Sequence, residues 1–202
     1  MCSAKRLSEK ERKKEIMNSA VKVILKKGFD NTTMEDIIAG TTLSKGGVYH
    51  YYGNVVEIFR DIMLFGIEYR NEIIRDHLRE CREGCENQFM AKQLVDKILD
   101  DNPYIPLYVE FLIAKKRNPK LNNLMPELQE QTKNRFEDIM GNSPGWLSDQ
   151  NIFQFLTDFI NAMILASNIL DARECFAENR ENMEQMLIFI FDKVKENRNE
   201  SL

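Results

Sequence analysis

The side chains best suited to contact a polyanion lie close together, near residue 50 of the sequence. Lys45 offers a positive charge to phosphate or to guanine acceptors, and Tyr49 and His50 offer hydrogen bonds to phosphate oxygens. Gly46 and Gly47 follow Lys45 directly, and two glycines in a first helical turn weaken it by about 1 kcal/mol each relative to alanine. That cost is understandable where a backbone must approach another surface closely, as at the floor of a DNA groove.

The aromatic residues of the same segment have a simpler alternative interpretation. Three of the six tyrosines lie at positions 49, 51 and 52, and such a cluster can close a small hydrophobic core. Val48 and Tyr52, four residues apart, are expected to pack inward against Ile37 and Phe29. This register leaves the polar side chains of the segment on the outer side.

A second group of candidate residues has the spacing of a metal or redox site. His77, Cys81 and Cys85 are spaced i, i+4 and i+8, which would align them on one helix face, where they could bind zinc or copper. Against this, Gly84 is expected to end the helix before Cys85, and no fourth ligand is evident. We therefore expect no metal site and no cofactor. The four cysteines form no CxxC pair, which suits a reducing cytosol.

Catalytic machinery is hard to assemble from this sequence. The chain has two histidines and lacks a Gly-x-Ser-x-Gly elbow, a phosphate-binding loop and a His-Glu-x-x-His pair. A helical scaffold that binds only protein is a third possibility, but it would leave the basic N-terminal segment and the paired glycines unexplained. We expect a binding protein that is not an enzyme.

The charge of the chain is unevenly distributed. The 202 residues carry a formal net charge of −4, yet residues 1–28 hold nine basic and three acidic residues. A basic end on an acidic protein allows contact with a polyanion at that end alone. A solvated helix face is the alternative, and the charge pattern by itself does not decide between them.

Capping residues divide the N-terminal region into three helices. Ser8 and Glu11 form a capping box that opens the first helix, and Gly28 is expected to end it. Thr33 can cap a short second helix, and Ser44 can cap a short third one after a tight turn. Two short helices joined by a tight turn are the layout of a helix-turn-helix. With no strand signal elsewhere, the sequence predicts an all-α fold. The apolar stripe of the first helix is Ile16, Ala20, Val21, Ile24 and Leu25.

The stretch GFDNTTMEDII, from Gly28 to Ile38, followed by LSKGGVYHYY, from Leu43 to Tyr52, resembles the DNA-binding signature of TetR-type transcriptional regulators. The resemblance implies a three-helix helix-turn-helix DNA-binding domain at residues 1–53 and a larger helical ligand-binding and dimerisation domain at 54–202. It also implies a dimer that releases its operator when a small molecule binds. The DNA-binding residues predicted from the outward side chains and from this resemblance are Thr33, Ser44, Lys45, Gly46, Gly47, Tyr49, His50 and Tyr51.

Three positions depart from the family's pattern. The family usually has glycine in the turn, where this chain has Thr42, and it often has threonine at the position of Gly47. A lysine often begins the family's fourth helix, whereas this chain has NVVE from Asn54 to Glu57. A threonine forced to positive φ would be strained, so we expect a slightly different turn. The missing lysine is expected to weaken DNA binding unless the basic residues at 5–6 or 10–14 offset it.

Beyond residue 54 the apolar spacing becomes long and helical. One long helix comes first, with later breaks near Pro103 and Pro119. The segments 152–170 and 183–194 are the most apolar, and a helix that is apolar on several faces needs several neighbours. The resemblance implies that these two helices form a four-helix interface in a homodimer, while burial within one subunit is the alternative. The predicted interface residues are Phe155, Phe159, Met163, Met183, Met186, Leu187, Ile190 and Phe191.

A ligand pocket is expected among the middle helices. Tyr104, Tyr108 and Phe111 have the spacing i, i+4 and i+7, so they are expected to share one face, and a ligand could satisfy their hydroxyl groups. Methionines and aromatic residues at helical spacing are more often plain core. If they line a cavity, it favours a hydrophobic or aromatic effector. The predicted lining is Phe89, Tyr104, Tyr108, Phe111, Met125, Trp146 and Met163.

The sequence predicts a cytoplasmic protein. The N-terminus is charged and has no apolar signal segment, and no apolar run is expected to be long enough to cross a bilayer. The expected partners are therefore double-stranded DNA with a palindromic operator, a small-molecule effector and a second copy of the chain, with no membrane. The expected function is that of a ligand-responsive transcriptional regulator, most simply a repressor.

Overall fold

The computed structural model describes residues 7–79, 84–140, 147 and 149–199. Within these ranges all regular structure is helical, and the predicted all-α fold is confirmed. The helices are α1 (Glu9–Lys27), α2 (Met34–Ala39), α3 (Lys45–Tyr49), α4 (Val55–Leu78), α5 (Glu86–Leu99), α6 (Ile105–Ala114), α7 (Pro119–Asn122), α8 (Met125–Met140), α9 (Gln150–Ile169), α10 (Arg173–Glu178) and α11 (Arg180–Asn199).

The chain forms two compact units, each made from two stretches of sequence. Unit 1 comprises Met1–Gly66 and Pro106–Leu128, and unit 2 comprises Ile67–Ile105 and Gln129–Leu202. Nearly all of α6 therefore belongs to the same unit as α1, α2 and α3, although it is far from them in sequence. The long helix predicted beyond residue 54 is α4, which contributes residues to both units. The functional boundary expected between residues 53 and 54 stays a prediction.

Helix α1 begins and ends where its capping residues predict. The Glu11 carboxylate accepts the backbone N–H of Ser8 at 2.7 Å, and Ser8 Oγ accepts the N–H of Glu11 at 3.3 Å. At the other end Gly28 has a φ of 78°, which favours glycine, and its N–H bonds to the carbonyl of Ile24. These contacts satisfy backbone groups that a helix end otherwise leaves unpaired.

The core of unit 1 contains a chain of three phenylalanine rings. Phe29 lies against Phe59 with ring centroids 5.0 Å apart, and Phe59 lies against Phe111 of α6 at 6.1 Å. All three side chains are buried, and each such burial stabilises the fold by about 1.5–3 kcal/mol. The expected core position of Phe29 is therefore confirmed. Aliphatic side chains buried in the same unit are Ile16, Ala20, Ile24, Ile37, Val48, Ile58 and Ile62.

One residue of the predicted apolar stripe on α1 lies on the open side of the helix. Ile16, Ala20 and Ile24 are buried, but Leu25 is 50% exposed. Leu25 follows Ile24 directly, and the turn of about 100° per residue moves its side chain away from the face that carries Ile16, Ala20 and Ile24. The prediction that Leu25 belongs to the buried stripe is wrong.

Unit 2 is built around α5, which packs against α9 and α11. Arg173, at the start of α10, donates hydrogen bonds to the carbonyl groups of Leu99 and Asp100 and so satisfies the C-terminal end of α5. Asn87 and Asp192 join α5 to α11 by a hydrogen bond of 2.8 Å. The buried apolar residues of these three helices include Met90, Val95, Ile98, Leu156, Ile160, Ile164, Leu187 and Phe191.

Helix α9 is long and apolar enough to cross a membrane, judged by length and composition alone. It has 20 residues, and 28% of its most apolar 18-residue window is buried within the chain. The expectation that no apolar run reaches this length is therefore wrong. A helix at a protein–protein interface can pass the same test, because its apolar face is covered only when the partner is present.

Candidate nucleic-acid interface

Two side-chain caps fix the starts of α2 and α3. The Asp36 carboxylate accepts the N–H of Thr33 at 2.9 Å, while Thr33 Oγ1 accepts the N–H of Asp36. Ser44 Oγ accepts the N–H of Gly47 at 3.2 Å. Both helices therefore begin at the predicted caps. The ammonium group of Lys27, followed by the donors of Thr33, lowers the pKa of Asp36 from 3.8 to about 2.

Helix α3 and the residues after it have a buried side and an open side, as the sequence predicts. Val48 is fully buried and Tyr52 is buried, with its hydroxyl group donating to Asp61 at 2.9 Å. Burial and the Asp61 carboxylate raise the pKa of Tyr52. Gly47 and Tyr51 are partly exposed. The exposed residues are Lys45, Gly46, Tyr49 and His50.

The two glycines of α3 have different surroundings. A Cβ placed on Gly46 would have no heavy atom within 4 Å, so nothing in the described part of the chain requires glycine there. A Cβ placed on Gly47 would lie 3.3 Å from Leu43 Cδ2, a tight contact within the chain. A side chain at Gly47 would therefore require Leu43 to shift by a few tenths of an ångström. Gly46 instead leaves backbone exposed, where an incoming molecule could approach it closely.

Lys45 is held by a carboxylate from the preceding helix. Lys45 Nζ lies 3.1 Å from Oε1 of Glu35 on α2 and 5.9 Å from the ring centroid of Tyr49. The hydrogen bond and charge of Glu35 raise the pKa of Lys45, and those of Lys45 lower the pKa of Glu35. The side chains of Lys45 and Glu35 are 68% and 64% exposed, so an incoming molecule can reach both.

The turn between α2 and α3 is bound to α1 by hydrogen bonds. The N–H of Thr42 donates to Glu15 Oε1 at 2.5 Å, and Arg12 donates to Thr42 Oγ1 at 3.0 Å. The hydrogen bonds from Thr42 lower the pKa of Glu15. Among the described residues other than glycine, positive φ is found at Asp171 and not at Thr42. Thr42 therefore occupies the position of the family's usual glycine without backbone strain.

Gly40 precedes this turn and is required by close packing. Ser19 on α1 is buried, and its hydroxyl group donates to the carbonyl of Ile37 at 2.6 Å. A Cβ on Gly40 would overlap Ser19 Oγ. The end of α2 is thus fitted against α1 with no room for a side chain at Gly40.

A carboxylate lies at the start of α4, where the family often has a lysine. Glu57 accepts the N–H of Gly53 at 2.7 Å and the side-chain amide of Asn54 at 2.7 Å. Asn54 Oδ1 in turn accepts the N–H of Glu57 at 3.1 Å. The Glu57 carboxylate therefore accepts a backbone N–H at the N-terminus of α4, and a helix N-terminus is a place where phosphate groups commonly bind.

The basic residues of α1 differ in how far they are free to bind an anion. Lys10 and Lys14 are exposed. Lys13 pairs with Glu9 at 3.2 Å and lies 6.0 Å from the ring centroid of Tyr52. Lys5 and Arg6, the other basic residues expected to help, lie outside the described residues.

Sequence reasoning missed what three acidic residues do on this surface. Glu15 binds the turn, Glu35 binds Lys45 and Glu57 binds the start of α4. The pattern Asn54-x-x-Glu57 resembles a capping box and could have identified Glu57. Glu15 and Thr42 are 27 residues apart, and no local spacing signals their contact.

The possible metal-binding group does not lie on one helix. Helix α4 ends at Leu78, Gly84 has a φ of 83°, and Cys85 lies at the N-cap of α5. The expected helix break before Cys85 is confirmed, while Cys81 lies outside the described residues. No group of three or more His, Cys, Asp or Glu side chains with metal-binding geometry is present in the described ranges.

The residues predicted to line a ligand pocket fall into both units. Tyr108 and Phe111 share one face of α6, with ring centroids 6.2 Å apart, whereas Tyr104 contacts Tyr69 at 5.3 Å. Trp146 lies outside the described residues. Tyr108, Phe111 and Met125 belong to unit 1, and Phe89, Tyr104 and Met163 belong to unit 2.

Unit 2 also encloses polar groups that the pocket prediction did not include. The buried atoms Asn71 Nδ2 and Ser167 Oγ have no hydrogen-bond partner in the described part of the chain. Arg70 donates to the carbonyl of Gln93 at 2.6 Å and lies 3.5 Å from Asp100. Burial, together with the charge of Arg70, lowers the pKa of Lys97 to about 8. This interior is therefore more polar than the aromatic pattern suggests.

The residues predicted for a dimer interface differ in exposure. Phe155 and Met186 are 50% and 55% exposed, whereas Leu187 and Phe191 are each 1% exposed within the single chain. The side chains of Leu187 and Phe191 are therefore not accessible for contact with a second subunit. Phe189, which was not in the predicted set, is 63% exposed. The partly exposed members of the predicted set are Phe159, Met163, Met183 and Ile190.

Comparison with known proteins identifies relatives of both the N-terminal region and the longer chain. Residues 16–62 match the family described as bacterial regulatory proteins, tetR family. The HTH-type transcriptional regulator YfiR of Bacillus subtilis is 25% identical over 64% of this chain and 64% of its own length. The alignment thus spans just under two thirds of that relative. The biofilm operon icaADBC negative transcriptional regulator IcaR of Staphylococcus epidermidis is 27% identical over 76% of this chain and 78% of its own length.

Solved structures share the fold over most of the chain. GusR of Salmonella enterica has a TM-score of 0.66 at 18% identity, with 95% of this chain and 98% of that chain covered. The fatty acid degradation regulator FadR of Bacillus halodurans has a TM-score of 0.67 at 15% identity, with 91% and 97% covered. At such identities these structures establish the fold alone. The match of residues 16–62 to the tetR family of bacterial regulatory proteins and the similarity to two transcriptional regulators together support a DNA-binding transcriptional regulator of the tetR type.

Proposed function

We propose that this protein is a transcriptional repressor that binds a palindromic operator as a homodimer and releases it when a small effector binds. The observation that carries the proposal is the position of α3. Its buried residue, Val48, ties it to the core of unit 1, while Lys45, Gly46, Tyr49 and His50 are exposed side by side. A helix presented in this way is suited to enter the major groove, with its N-terminal residues at the base edges.

Each residue of this surface has a distinct part in the proposed complex. Lys45, at the N-terminal end of α3, reaches base edges or phosphate, and the hydroxyl groups of Tyr49 and Tyr51 and the ring of His50 donate to phosphate oxygens. Gly46 lets the backbone approach the groove. Thr33, Ser44 and Gly47 act mainly by fixing the helices. The similarity to IcaR, a negative transcriptional regulator, supports repression as the outcome.

Exposed apolar side chains on α9 and α11 support a homodimer. Phe155 on α9 and Met186 and Phe189 on α11 are each at least half exposed. Exposed apolar side chains that form a patch commonly mark a surface that a partner covers. By length and composition α9 is apolar enough to cross a membrane. Contact with a second copy of the chain explains this apolar surface equally well. A two-fold symmetric dimer also matches the symmetry of a palindromic site.

Unsatisfied polar atoms support an effector site in unit 2. A buried polar atom without a partner costs about 1–3 kcal/mol, and Asn71 Nδ2 and Ser167 Oγ are two such atoms in the described part of the chain. A ligand that supplied an acceptor to Asn71 Nδ2, or a hydrogen bond to Ser167 Oγ, would remove this cost at that atom. The core of unit 2 is mainly apolar but also contains the charged groups of Arg70 and Lys97, so we propose a hydrophobic or aromatic effector that carries at least one polar group.

The proposed place of action is the cytoplasm, where a bacterial regulator meets its operator, and no catalytic role is proposed.

A selection of genomic fragments tests the DNA-binding proposal. The purified protein binds fragments at fixed, moderate salt, and the bound fragments are sequenced. An enriched palindrome supports it, and the half-site spacing reports the geometry of the dimer. Binding that is only salt-sensitive and non-specific would count against it.

The Lys45→Ala variant tests α3 directly. Loss of one cationic contact should weaken operator binding and reduce the slope of its salt dependence by about 1 if Lys45 meets a phosphate. Lys92→Ala, which removes an exposed lysine from α5, is the control and should bind as the wild type does. Equal affinity of Lys45→Ala and wild type would overturn the assignment of α3 as the reading helix.

A further inference from the structure

The ion pair between Glu35 and Lys45 places an acceptor and a donor side by side on the proposed DNA-binding surface. Lys45 Nζ and Glu35 Oε1 are 3.1 Å apart, and the two side chains come from the two helices of the helix-turn-helix. Both are about two-thirds exposed. Exposed ion pairs of this kind contribute little to folding stability, and an acidic residue in the first turn of α2 adds only a modest interaction with the helix N-terminus.

Glu35 is also not needed to cap α2. The neighbouring residue Asp36 forms the capping box with Thr33 and binds Lys27. The side chain of Glu35 is instead directed to Lys45. A negative charge on a surface that meets phosphate groups opposes binding unless it finds a hydrogen-bond donor in the complex.

The major groove supplies such a donor at a defined distance from acceptors. A G·C pair presents N7 and O6 of guanine as acceptors and the N4 amino group of cytosine as a donor. A lysine ammonium group commonly binds the guanine acceptors, and a glutamate carboxylate commonly accepts from cytosine N4. An ammonium group and a carboxylate in contact therefore match one G·C pair, with the ammonium group facing guanine and the carboxylate facing cytosine.

We propose that Glu35 and Lys45 together recognise one G·C pair in each operator half-site, with Lys45 donating to guanine O6 or N7 and Glu35 accepting from cytosine N4. The proposal rests on the DNA-binding function proposed above and adds to it a base preference and a specificity-determining residue. Lys45 is the first residue of α3, the end of a recognition helix that meets base edges. The hydrogen bond between the two groups lowers the pKa of Glu35 and raises the pKa of Lys45, so it favours the charged form of each.

Glu35→Gln is the most informative variant, because it removes the charge and keeps the size of the side chain. A glutamine amide pairs well with adenine N6 and N7, so the preferred pair at this position should change from G·C towards T·A. Affinity for non-specific DNA should rise, since one negative charge is removed from the surface. Preferences at the other positions of the site should remain as in the wild type.

The test is sequence selection from random duplexes by wild type, Glu35→Gln, Lys45→Gln and a control, Glu68→Gln. Glu68 forms an exposed pair with Arg135 at 3.5 Å in unit 2, so the control makes the same chemical change outside α2 and α3. Wild type and Glu68→Gln should retain one G·C pair per half-site, and replacing that pair should weaken wild-type binding by about 5- to 150-fold. Glu35→Gln and Lys45→Gln should each lose most of this discrimination.

The outcomes separate this proposal from the proposed function. A wild-type palindrome with no required G·C pair, or one whose base preferences are unchanged in Glu35→Gln, overturns the G·C assignment and leaves the repressor proposal standing. A wild-type site that requires an A·T pair at this position likewise overturns the G·C assignment and leaves the repressor proposal standing. Absence of any palindrome for the wild type overturns both. Titration of wild-type protein with operators substituted at single base pairs gives the same answer even if a variant fails to fold.

Discussion

Glu110 on α6 accepts the backbone N–H of Phe29 at 2.6 Å, so a side chain 81 residues along the chain holds the connection between α1 and α2. A second contact lies beside it, where Arg117 pairs with Asp30 at 2.8 Å. Both contacts lie within unit 1. Because this connection leads directly into α2, we expect a shift of α6 to be passed to α2 and from there to α3.

Replacing Glu110 with alanine should destabilise unit 1 and weaken operator binding. The N–H of Phe29 would lose its acceptor in a partly buried position, which costs about 1–3 kcal/mol of unfolding free energy. Glu110→Gln keeps an acceptor oxygen and should recover most of that loss. Denaturant unfolding and operator titration of the same samples measure the two effects.

The control for Glu110 is Asp30→Asn, which breaks the exposed pair with Arg117 at the same connection. Its effect on unfolding should stay below about 1 kcal/mol, because exposed ion pairs contribute little. If Glu110→Ala unfolds and binds like the wild type, the hydrogen bond to Phe29 does not position α2.

Gly40→Ala should destabilise the helix-turn-helix through a clash and not through its backbone angles. Gly40 has a φ of −92°, which any residue adopts, but a methyl group there would overlap the Ser19 hydroxyl group. We expect a loss of about 1–3 kcal/mol in thermal or denaturant unfolding. The double variant Ser19→Ala/Gly40→Ala removes the overlapping oxygen and should lose less than the sum of the two single variants. Strict additivity would show that the Ser19 contact is not the cause.

The Asp36 carboxylate should make stability depend on pH in the acid range. Its pKa is about 2 in the folded chain, against an ordinary value of 3.8, so folding favours the charged form. This stabilisation is fully present above pH 3.8 and is lost as the pH falls through about 2. The difference in unfolding free energy between wild type and Asp36→Asn should therefore shrink as the pH falls over that interval.

A Lys27→Met variant separates the two causes of this pH dependence. It removes the ammonium group, the larger cause of the lowered pKa, and leaves the capping contacts with Thr33 in place. Urea unfolding at several pH values should give it a pH dependence weaker than that of wild type and stronger than that of Asp36→Asn. A difference between wild type and Asp36→Asn that is the same at pH 2 and pH 7 would contradict the assignment.

Local sequence features predicted much of the N-terminal region. Ser8, Thr33 and Ser44 cap helices because each needs only a backbone N–H two or three residues away, and that spacing is visible in the sequence. Val48 and Tyr52 are buried because one helical turn separates them. The exposed residues of α3 follow from the same periodicity.

Contacts between distant residues could not be predicted in this way. Glu110 with Phe29 and Glu15 with Thr42 join residues 81 and 27 positions apart, and only the folded chain brings them together. The division of α11 into buried and exposed residues was also missed, because that helix is apolar on more than one side. Phe191 lies in the core and Phe189 lies outside it, although both are phenylalanines two residues apart.

Phe189→Glu should convert the proposed homodimer into a monomer without unfolding the chain. Phe189 is 63% exposed, so a charged side chain there is tolerated in the single subunit but would be buried without a partner at a dimer interface. Light scattering during gel filtration measures the mass, and circular dichroism checks the fold. Leu25→Glu, a matched change at a residue that is 50% exposed on α1, should leave the mass unchanged.

Because a monomer engages one half-site, Phe189→Glu should also lose most affinity for the palindrome while keeping its affinity for non-specific DNA. A Phe189→Glu protein that remains a dimer would place the interface away from this face of α11.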